Sequence, residues 1–328
     1  MIATIKDATL ILHEFDKHLL FVQQCSEVTP AILPGFDAAI LDAGNEKECL
    51  DLLKNIRATN DPAGYLKPVF VINWQHCQEK EMLAELSDGL LNSVSIVAHL
   101  PLLGRVEQLV EKWSDNHQLQ PGMALPLLKA MRFAYSRNRN LTPVPSRYSL
   151  TGYMLPVFDV NFSHSQFQEY ERILQYAIQH NLLSRKFVDK LHLCGHCSSG
   201  YLNYRETCPS CHSHHLHAEH VIHHFMCANV GPESDYVHGD HLSCPKCSQS
   251  LGHLGTDYDR PSMMMTCQTC YNAFQEPDIS AFCVSCKHVT PIDQLKEHIV
   301  YEYALTPAGV QTIWNESRYD LLAGIMAS

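Results

Sequence analysis

Apolar and polar residues follow two different periods along the first third of the chain. Five short aliphatic runs predict β-strands, the first two in a hairpin, and three segments with apolar residues on one helical face predict helices. The strands are predicted at residues 8–13, 19–24, 36–42, 68–73 and 94–98, and the helices at 46–58, 79–91 and 105–113. This alternation predicts an α/β domain over residues 1–118.

The pattern after this domain predicts three further segments. Residues 119–165 are interpreted as a helical connector, because a helix predicted at 125–135 is followed by a proline-rich stretch. Residues 166–315 are predicted to form a second domain, which starts with a strongly patterned helix and ends with a strand and a proline-initiated helix. Residues 316–328 are assigned to a C-terminal tail.

Twelve potential metal ligands are concentrated in the second domain. Five Cys-x-x-Cys pairs occur there, and a sixth pair of the same spacing begins with a histidine. A Cys-x-x-Cys turn places two thiolates on one side of a tight loop, so two turns can surround one zinc ion. The predicted ligands are Cys194, Cys197, Cys208, Cys211, His224, Cys227, Cys244, Cys247, Cys267, Cys270, Cys283 and Cys286.

The spacing of these pairs predicts three structural zinc ions per chain. Gaps of 10, 16 and 12 residues separate consecutive pairs, and each gap is long enough for the hairpin of a zinc ribbon. The pairs are therefore expected to group in sequence order, the first with the second, the third with the fourth and the fifth with the sixth. The expected fold is an α+β C-terminal region built on three zinc ribbons with flanking helices.

The histidine ligand leaves an alternative open. Seven histidines lie between residues 212 and 224, and His224 is preferred because its spacing to Cys227 copies a Cys-x-x-Cys turn. His220 and His223 remain alternatives. The run is interpreted as a solvated hairpin, and a labile metal or pH-sensing site is the competing interpretation.

Charge and cysteine content predict where the protein is located and which class of partner it binds. The 328 residues carry a net charge of −11 and 14 cysteines, with no export signal and no long apolar run, which predicts a cytoplasmic protein without membrane insertion. Between residues 190 and 300, six Lys or Arg face eleven Asp or Glu, and thiolate-bound zinc adds negative charge. This balance disfavours nucleic acid. Cys25, Cys49 and Cys77 lack partners at metal-ligand spacing and are interpreted as structural thiols.

The centre of the N-terminal domain resembles a response-regulator receiver. In that family an aspartate at the end of the third strand accepts phosphate, and Asp42 occupies the matching place in residues 36–42. The other groups that the family uses, an acidic pair, a Ser or Thr and a Lys, are replaced by Leu12-His13-Glu14, Asn73-Trp74 and His99-Leu100-Pro101. Phosphoryl transfer needs the metal and the lysine, so we expect a degenerate receiver-like domain with a structural Asp42.

The cysteine-rich region resembles the thaumarchaeal output domain, a zinc-ribbon module at the end of signalling proteins. Residues 187–194, 223–227, 230–235, 244–247 and 255–262 carry the resemblance, which extends over about residues 150–312. The Gly-Pro-Glu-Ser and Asp-Tyr-Asp-Arg-Pro strings are its most specific parts. The resemblance implies a metal-binding output module coupled to an upstream sensor or receiver.

These features predict a non-enzymatic signalling protein. Zinc sites closed by four protein ligands are structural, and no phosphate loop or nucleophile motif accompanies them. The leading hypothesis is an output or adaptor protein that binds another protein or a second copy of itself. The alternatives are a zinc-ribbon, winged-helix-like DNA-binding transcription regulator and a thiol redox sensor.

Overall fold

The chain folds into two compact units. The computed structural model describes residues 3–6, 9–14, 16–94, 96–114, 124–162 and 166–315, so the predicted tail at 316–328 lies outside the described residues. Unit 1 contains the chain up to Lys190 and again from Ile299, and unit 2 contains Leu191–His298. The mixed α/β character expected from the sequence is present, in several sheets.

A six-stranded sheet forms the centre of unit 1. Its strands are β1 (Ala3–Lys6), β2 (Thr9–Glu14), β3 (Lys17–Val22), β4 (Ala38–Asp42), β5 (Val69–Ile72) and β6 (Gly89–Leu90). They are adjacent in chain order, with β1 to β3 antiparallel and β3 to β6 parallel. The predicted hairpin is confirmed as β2 and β3, and β1 is a strand that the apolar pattern did not predict.

Both faces of the parallel strands are buried. Leu20, Val22 and Leu41 point into the larger core, whereas Leu19, Phe21 and Ile40 point into a smaller core on the other face. Side chains alternate along a strand, so burial on both faces requires a nearly continuous apolar run. This explains why these strands could be predicted from short aliphatic segments.

Helices cover the larger core. The helices before unit 2 are α1 (Glu46–Ala58), α2 (Pro62–Tyr65), α3 (Lys80–Leu86), α4 (Leu100–Ser114), α5 (Ala124–Arg137), α6 (Pro156–Asp159) and α7 (Phe167–Gln179). The helix predicted at 125–135 is confirmed as α5, but α5 is part of the core of unit 1, since nine of its 14 residues are buried. The interpretation of residues 119–165 as a connector does not fit this packing.

The predicted fifth strand is wrong. The last strand of the sheet is β6, and Val97–His99 form a short 3₁₀ helix in place of the strand expected at 94–98. Asp88 determines this difference, because its buried carboxylate bonds Arg57 at 3.3 Å and Arg137 at 2.8 Å. The same carboxylate accepts the N–H of Val69, which brings the segment after α3 against β5. The predicted helix at 79–91 therefore ends at Leu86.

The remaining elements of unit 1 adjoin the second unit in sequence. β7 (Val144–Pro145) and β8 (Tyr153–Met154) form a small hairpin. The chain leaves through β9 (Leu183–Leu193), and the strand that returns from unit 2 pairs with β9.

Unit 2 consists of short antiparallel strands. They are β10 (Leu202–Thr207), β11 (Leu216–His224), β12 (Asn229–Pro232), β13 (Val237–His238), β14 (His241–Ser243), β15 (Ser250–Leu251), β16 (Tyr258–Cys267), β17 (Ala273–Phe274), β18 (Asp278–Cys283) and β19 (Val289–Pro291). β20 (Lys296–Leu305) returns the chain to unit 1, where α8 (Pro307–Thr312) follows with Thr306 as its N-cap, as predicted.

The strand pairing in unit 2 is nested. β10 pairs with β18 and β11 pairs with β16, so strands leaving unit 1 run beside strands that return to it. The histidine-rich run lies in and before β11, at the centre of the four-stranded sheet β12-β11-β16-β17. Its interpretation as a solvated hairpin holds only in part: His212, His214, His215 and His217 are exposed, but His224 is buried and residues 216–224 form a single strand.

No helix in the described parts of the chain is long and apolar enough to cross a membrane.

Candidate metal centres

All six pairs of predicted ligands have the same backbone turn. The residue directly after the second ligand has a positive φ in every case, between 52° and 63°. These residues are Ser198, His212, Ala228, Ser248, Tyr271 and Lys287. His224-x-x-Cys227 follows the same rule as the five Cys-x-x-Cys pairs, so the histidine-containing pair is a turn of the same type.

The twelve side chains converge into three tetrads. The base tetrad is Cys194, Cys197, Cys283 and Cys286, the central tetrad is Cys208, Cys211, Cys267 and Cys270, and the tip tetrad is His224, Cys227, Cys244 and Cys247. Within each tetrad the ligand atoms lie within 4.8 Å of one another. The tip tetrad has the expected composition, but the sequence-order grouping of the other eight cysteines is wrong.

The strands explain the different grouping. The 10-residue gap between Cys197 and Cys208 contains the single extended strand β10, which carries the second turn away from the first. β10 instead lies against β18, with Leu202 opposite Cys283. The first turn therefore meets the sixth, and the second turn meets the fifth. Only across the longest gap, the one before Cys244, does a turn meet the turn that follows it in the sequence.

The distances within the tetrads fit one tetrahedral metal ion each. Opposing sulfur atoms lie 3.6–3.7 Å apart in the base tetrad and 3.5–3.6 Å apart in the central tetrad. A tetrahedral zinc ion with Zn–S bonds of about 2.3 Å requires S–S edges of about 3.8 Å. A disulfide would require about 2.05 Å between sulfurs, and all 14 cysteines are free. The donor set and its geometry therefore suit structural metal sites.

The tip tetrad is surrounded by the hydrophobic core of unit 2. His224 is 1% exposed, and its Nδ1 lies 3.2 Å from Cys227 Sγ and 3.6 Å from Cys247 Sγ. Ile222, Tyr236, Leu251 and Tyr258 form a buried cluster with Cys244. Neither alternative histidine belongs to the tetrad: His223 contacts Asp259 at 3.3 Å, and His220 faces Met263 across the sheet.

The two most specific strings of the sequence meet beside the tip tetrad. Glu233 of the Gly-Pro-Glu-Ser string and Arg260 of the Asp-Tyr-Asp-Arg-Pro string form an ion pair. Asp257 of the second string accepts N–H bonds from Gly252 at 2.8 Å and His253 at 2.9 Å. Both strings therefore stabilise the loops around this site.

The base and central tetrads share the same hydrogen bond between their two turns. In the base tetrad the hydroxyls of Ser199 and Ser285 bond at 2.9 Å, and in the central tetrad those of Ser213 and Thr269 bond at 2.8 Å. The two pairs hold equivalent positions. Ser199 and Ser213 each lie two residues after the second cysteine of a turn, and Ser285 and Thr269 each lie between the two cysteines of the turn that completes the tetrad. These hydroxyl residues are present in the sequence, but their correspondence can be recognised only once the strand pairing shows which turns form one tetrad.

Backbone N–H groups favour thiolates at the first cysteine of four of the five Cys-x-x-Cys turns. Burial raises the pKa of Cys244, but N–H groups of Cys247 and Lys246 outweigh it and lower the pKa to about 6. The same balance lowers the pKa of Cys267 to about 6 and that of Cys283 to about 7. Burial and neighbouring thiols raise the pKa of Cys197 to about 12. A divalent cation would displace the remaining protons on binding.

The remaining three cysteines lie near Asp42 in unit 1. Cys25 Sγ is 3.7 Å from the carbonyl oxygen of Asp42, and Cys77 Sγ is 3.7 Å from that of Ala43. A hydrogen bond with Cys25, together with burial, raises the pKa of Cys49 well above the usual range. These three thiols are buried, which agrees with a structural role. Their proximity could not be predicted from their wide sequence spacing.

The carboxylate of Asp42 is engaged by its neighbours. Oδ1 accepts the N–H of Gly44 at 2.8 Å, and Oδ2 accepts the side-chain amide of Asn73 at 3.0 Å. Asn73 occupies one of the positions where the receiver family places a different residue. Both contacts stabilise the turn between β4 and α1.

The C-terminal part of the chain matches one known family. The model described as thaumarchaeal output domain 1 matches residues 122–305, which is more than half of the 328 residues. The match begins just before α5 and includes all three tetrads. No curated protein and no solved structure matches the chain. With its three tetrads and the two strings around the tip, the chain belongs to the thaumarchaeal output domain 1 family.

Proposed function

We propose that this protein is a zinc-dependent signalling output or adaptor protein that acts by binding another protein. The observation that carries the proposal is the closure of each tetrad by four protein ligands, which leaves no position for a reacting water. The zinc ions then have a structural role, and the protein is not an enzyme. Family membership supports an output role.

Metal analysis tests the zinc assignment. Purified protein is expected to contain about three zinc ions per chain, because three tetrahedral thiolate-rich sites are present. His224→Ala should lower the content by one. His215→Ala is the matched control, because His215 belongs to the same run but to no tetrad. Zinc contents that do not differ between the two variants would contradict the ligand assignment.

The partner is a protein surface rather than a nucleic acid. Six Lys or Arg against eleven Asp or Glu between residues 190 and 300 give this region a negative charge, which thiolate-bound zinc increases. Binding to a DNA duplex would require lysine and arginine contacts to phosphates and would weaken steeply with salt. Fluorescence anisotropy with a labelled duplex at low and moderate salt should show no salt-dependent binding.

A comparison of full-length and shortened chains tests the protein-binding role. Affinity capture from cells should enrich the same protein with the intact chain in repeated experiments. That protein should be lost when residues 191–298 are replaced by a short linker and when zinc is removed by a chelator. Equal recovery with and without unit 2 would show that unit 2 is not the output surface.

The N-terminal region is a degenerate receiver-like interaction or dimerisation platform. Its support is the parallel order of β3 to β6, which corresponds to part of the receiver order 2-1-3-4-5, with a hairpin in place of one βα unit. Asp42 is structural, because Gly44 and Asn73 already occupy its oxygens. Incubation with acetyl phosphate and Mg²⁺ should leave the protein mass unchanged, whereas a phosphoryl adduct on Asp42 would contradict this assignment.

A further inference from the structure

The three tetrads differ in how well they shield their cysteines from solvent. In the base tetrad all four cysteines are buried or half-buried, and in the tip tetrad Cys247 alone is exposed. In the central tetrad both Cys211 and Cys270 are exposed. The central site therefore presents two thiolates to solvent from opposite turns.

The surroundings of the central tetrad increase this difference. The tip tetrad is shielded by the buried cluster that includes Tyr236 and Tyr258. Within the described residues, that cluster contains none of the central cysteines. The residues that follow the two exposed cysteines, His212 and Tyr271, are exposed as well, and the Tyr271 side chain is 78% exposed. A small oxidant can therefore approach these two cysteines from solvent.

Charge also distinguishes the central tetrad from the tip tetrad. Four thiolates around a divalent ion leave a net charge of about −2, whereas three thiolates and a neutral imidazole leave about −1. Cys247 is exposed, but it shares its ion with His224. More electron density remains on the sulfurs of the four-cysteine site, and the nucleophile in thiol oxidation is the thiolate. Exposure and charge both favour attack at the central site.

Each exposed cysteine of the central tetrad has a buried cysteine close to it on the opposite turn. Cys211 Sγ lies 3.5 Å from Cys267 Sγ, and Cys270 Sγ lies 3.6 Å from Cys208 Sγ. An exposed thiolate that is oxidised therefore has a resolving thiolate within reach. The arrangement combines the two components that reversible disulfide formation requires.

We propose that the central tetrad is a peroxide-reactive site that releases its zinc on forming a disulfide between its two turns. The Cys211 thiolate attacks the O–O bond of hydrogen peroxide, which gives a sulfenic acid and hydroxide. The Cys267 thiolate then attacks the sulfenic sulfur, the S–S bond forms and a second hydroxide leaves. Two protons from solvent convert both hydroxides to water. With two of its four thiolates consumed, the tetrad would no longer hold a zinc ion firmly, and thiol reductants reverse the oxidation.

Zinc release and disulfide mapping test this inference on the full-length, zinc-loaded protein. Hydrogen peroxide is added while a chromogenic chelator records the zinc released, and peptide mass spectrometry locates the disulfides. The first zinc equivalent should appear together with a Cys211–Cys267 or Cys208–Cys270 disulfide, while base and tip cysteines stay reduced. A first disulfide in the base or tip tetrad, or zinc release at one common rate from all three sites, would overturn the proposal.

A pair of matched variants separates the central site from the others. Replacing both Cys211 and Cys270 by His removes the two exposed thiolates while it keeps zinc ligands, and replacing both Cys197 and Cys286 by His makes the same changes at the equivalent positions of the base tetrad. The fast phase of zinc release should slow several-fold or disappear in the central double variant and persist in the base double variant. A fast phase that survives in the central double variant would contradict the proposal, even if that variant binds only two zinc ions.

The inference rests on the proposed zinc occupancy and is independent of the proposed protein partner. Metal analysis before oxidation shows whether the protein contains the three zinc ions that the inference assumes. If three zinc ions are present and the central site does not react first, only the inference fails.

Discussion

In unit 1 one buried hydrophobic cluster extends from the sheet through α1, α3, α4 and α5 to α7. In unit 2 the buried cluster consists of five described residues around the tip tetrad. Long helices and a six-stranded sheet make the first cluster possible, whereas the short strands of unit 2 cannot enclose a comparable core. Twelve ligand side chains in three tetrads take the place of that core.

This difference shows that the two units depend on different free-energy terms. Unit 1 is stabilised by burial of apolar surface, a term that does not depend on a bound ion. If zinc fills the tetrads as proposed, its binding stabilises the meeting of turns of unit 2 that are far apart in the sequence, such as those at Cys194 and Cys283. For a small metal-dependent domain the binding free energy is folding free energy. Each unit should therefore fail under conditions that the other tolerates.

Chelation should produce the largest difference between the units. Structural zinc sites contribute on the order of 10 kcal/mol each, so removing the metal should unfold residues 191–298. The three tryptophans, Trp74, Trp113 and Trp314, all belong to unit 1, and their fluorescence should not change. Hydrogen exchange should show loss of protection in β10 to β19 alone. Chelator saturated with calcium is the control, and retained protection in unit 2 would contradict a metal-dependent fold.

The next largest effect should come from the buried ion network of unit 1. Asp88→Asn removes the charge that balances Arg57 and Arg137, and leaving buried charges uncompensated costs about 3–5 kcal/mol. Glu107→Gln is the control, because its pair with Lys17 is about half exposed and should contribute less than about 1 kcal/mol. Urea unfolding followed by tryptophan fluorescence measures both variants. A similar loss of stability in both would show that burial does not distinguish them.

Two buried aspartates should give unit 1 opposite responses to pH. Burial raises the pKa of Asp159 to about 8, because Leu155 N–H and Tyr170 only partly offset desolvation. The folded state then binds a proton that the unfolded chain has lost, so stability falls as pH rises from about 4 to about 8. Desolvation acts on Asp88 too, but Arg137 and Arg57 outweigh it and lower the pKa. The stability that Asp88 contributes is present above its usual pKa and is lost as pH falls through its lowered value.

Asp159→Asn tests the first of these responses. The variant resembles the protonated carboxyl, so the fall in the free energy of unfolding between pH 5 and pH 8 should become smaller. The gain over the wild-type protein should grow from pH 5 to pH 8, because only the wild-type folded state has to keep a proton that the unfolded chain releases. Denaturant unfolding of unit 1 at several pH values gives the comparison. Parallel pH profiles for the two proteins would contradict a protonated Asp159 at neutral pH.

Local patterns predicted much of both units. The apolar runs gave β3, β4 and β5 because these strands are buried on both faces. The spacing of Cys-x-x-Cys and His-x-x-Cys pairs identified the twelve side chains that the structure brings together. In each case the residues of one short segment are enough for the prediction. The apolar side chains of a segment indicate a buried strand, and the spacing of its ligands indicates a metal-binding turn.

Features that depend on distant segments could not be predicted in this way. β6 replaces the predicted strand at 94–98 because Asp88 bonds Arg137, a residue of α5. The base and central tetrads follow the pairing of β10 with β18 and of β11 with β16, and spacing alone cannot distinguish that pairing from three local hairpins. Only the tip tetrad closes locally, and only its grouping was predicted.

The smallest expected effect concerns the turn at the tip tetrad. Ala228 is exposed and has φ of 52°, a left-handed conformation that costs a residue with a Cβ about 1 kcal/mol relative to glycine. Ala228→Gly should therefore stabilise the metal-bound turn by up to about 1 kcal/mol, which corresponds to about a fivefold tighter zinc affinity. Competition with a chelator of known affinity measures the change. Ala218→Gly is the matched control, because Ala218 is exposed within β11 and its replacement should weaken unit 2. If both variants weaken zinc binding, the backbone entropy that glycine loses on folding exceeds the conformational free energy gained at the turn. The positive φ at the six turns is then not a source of strain.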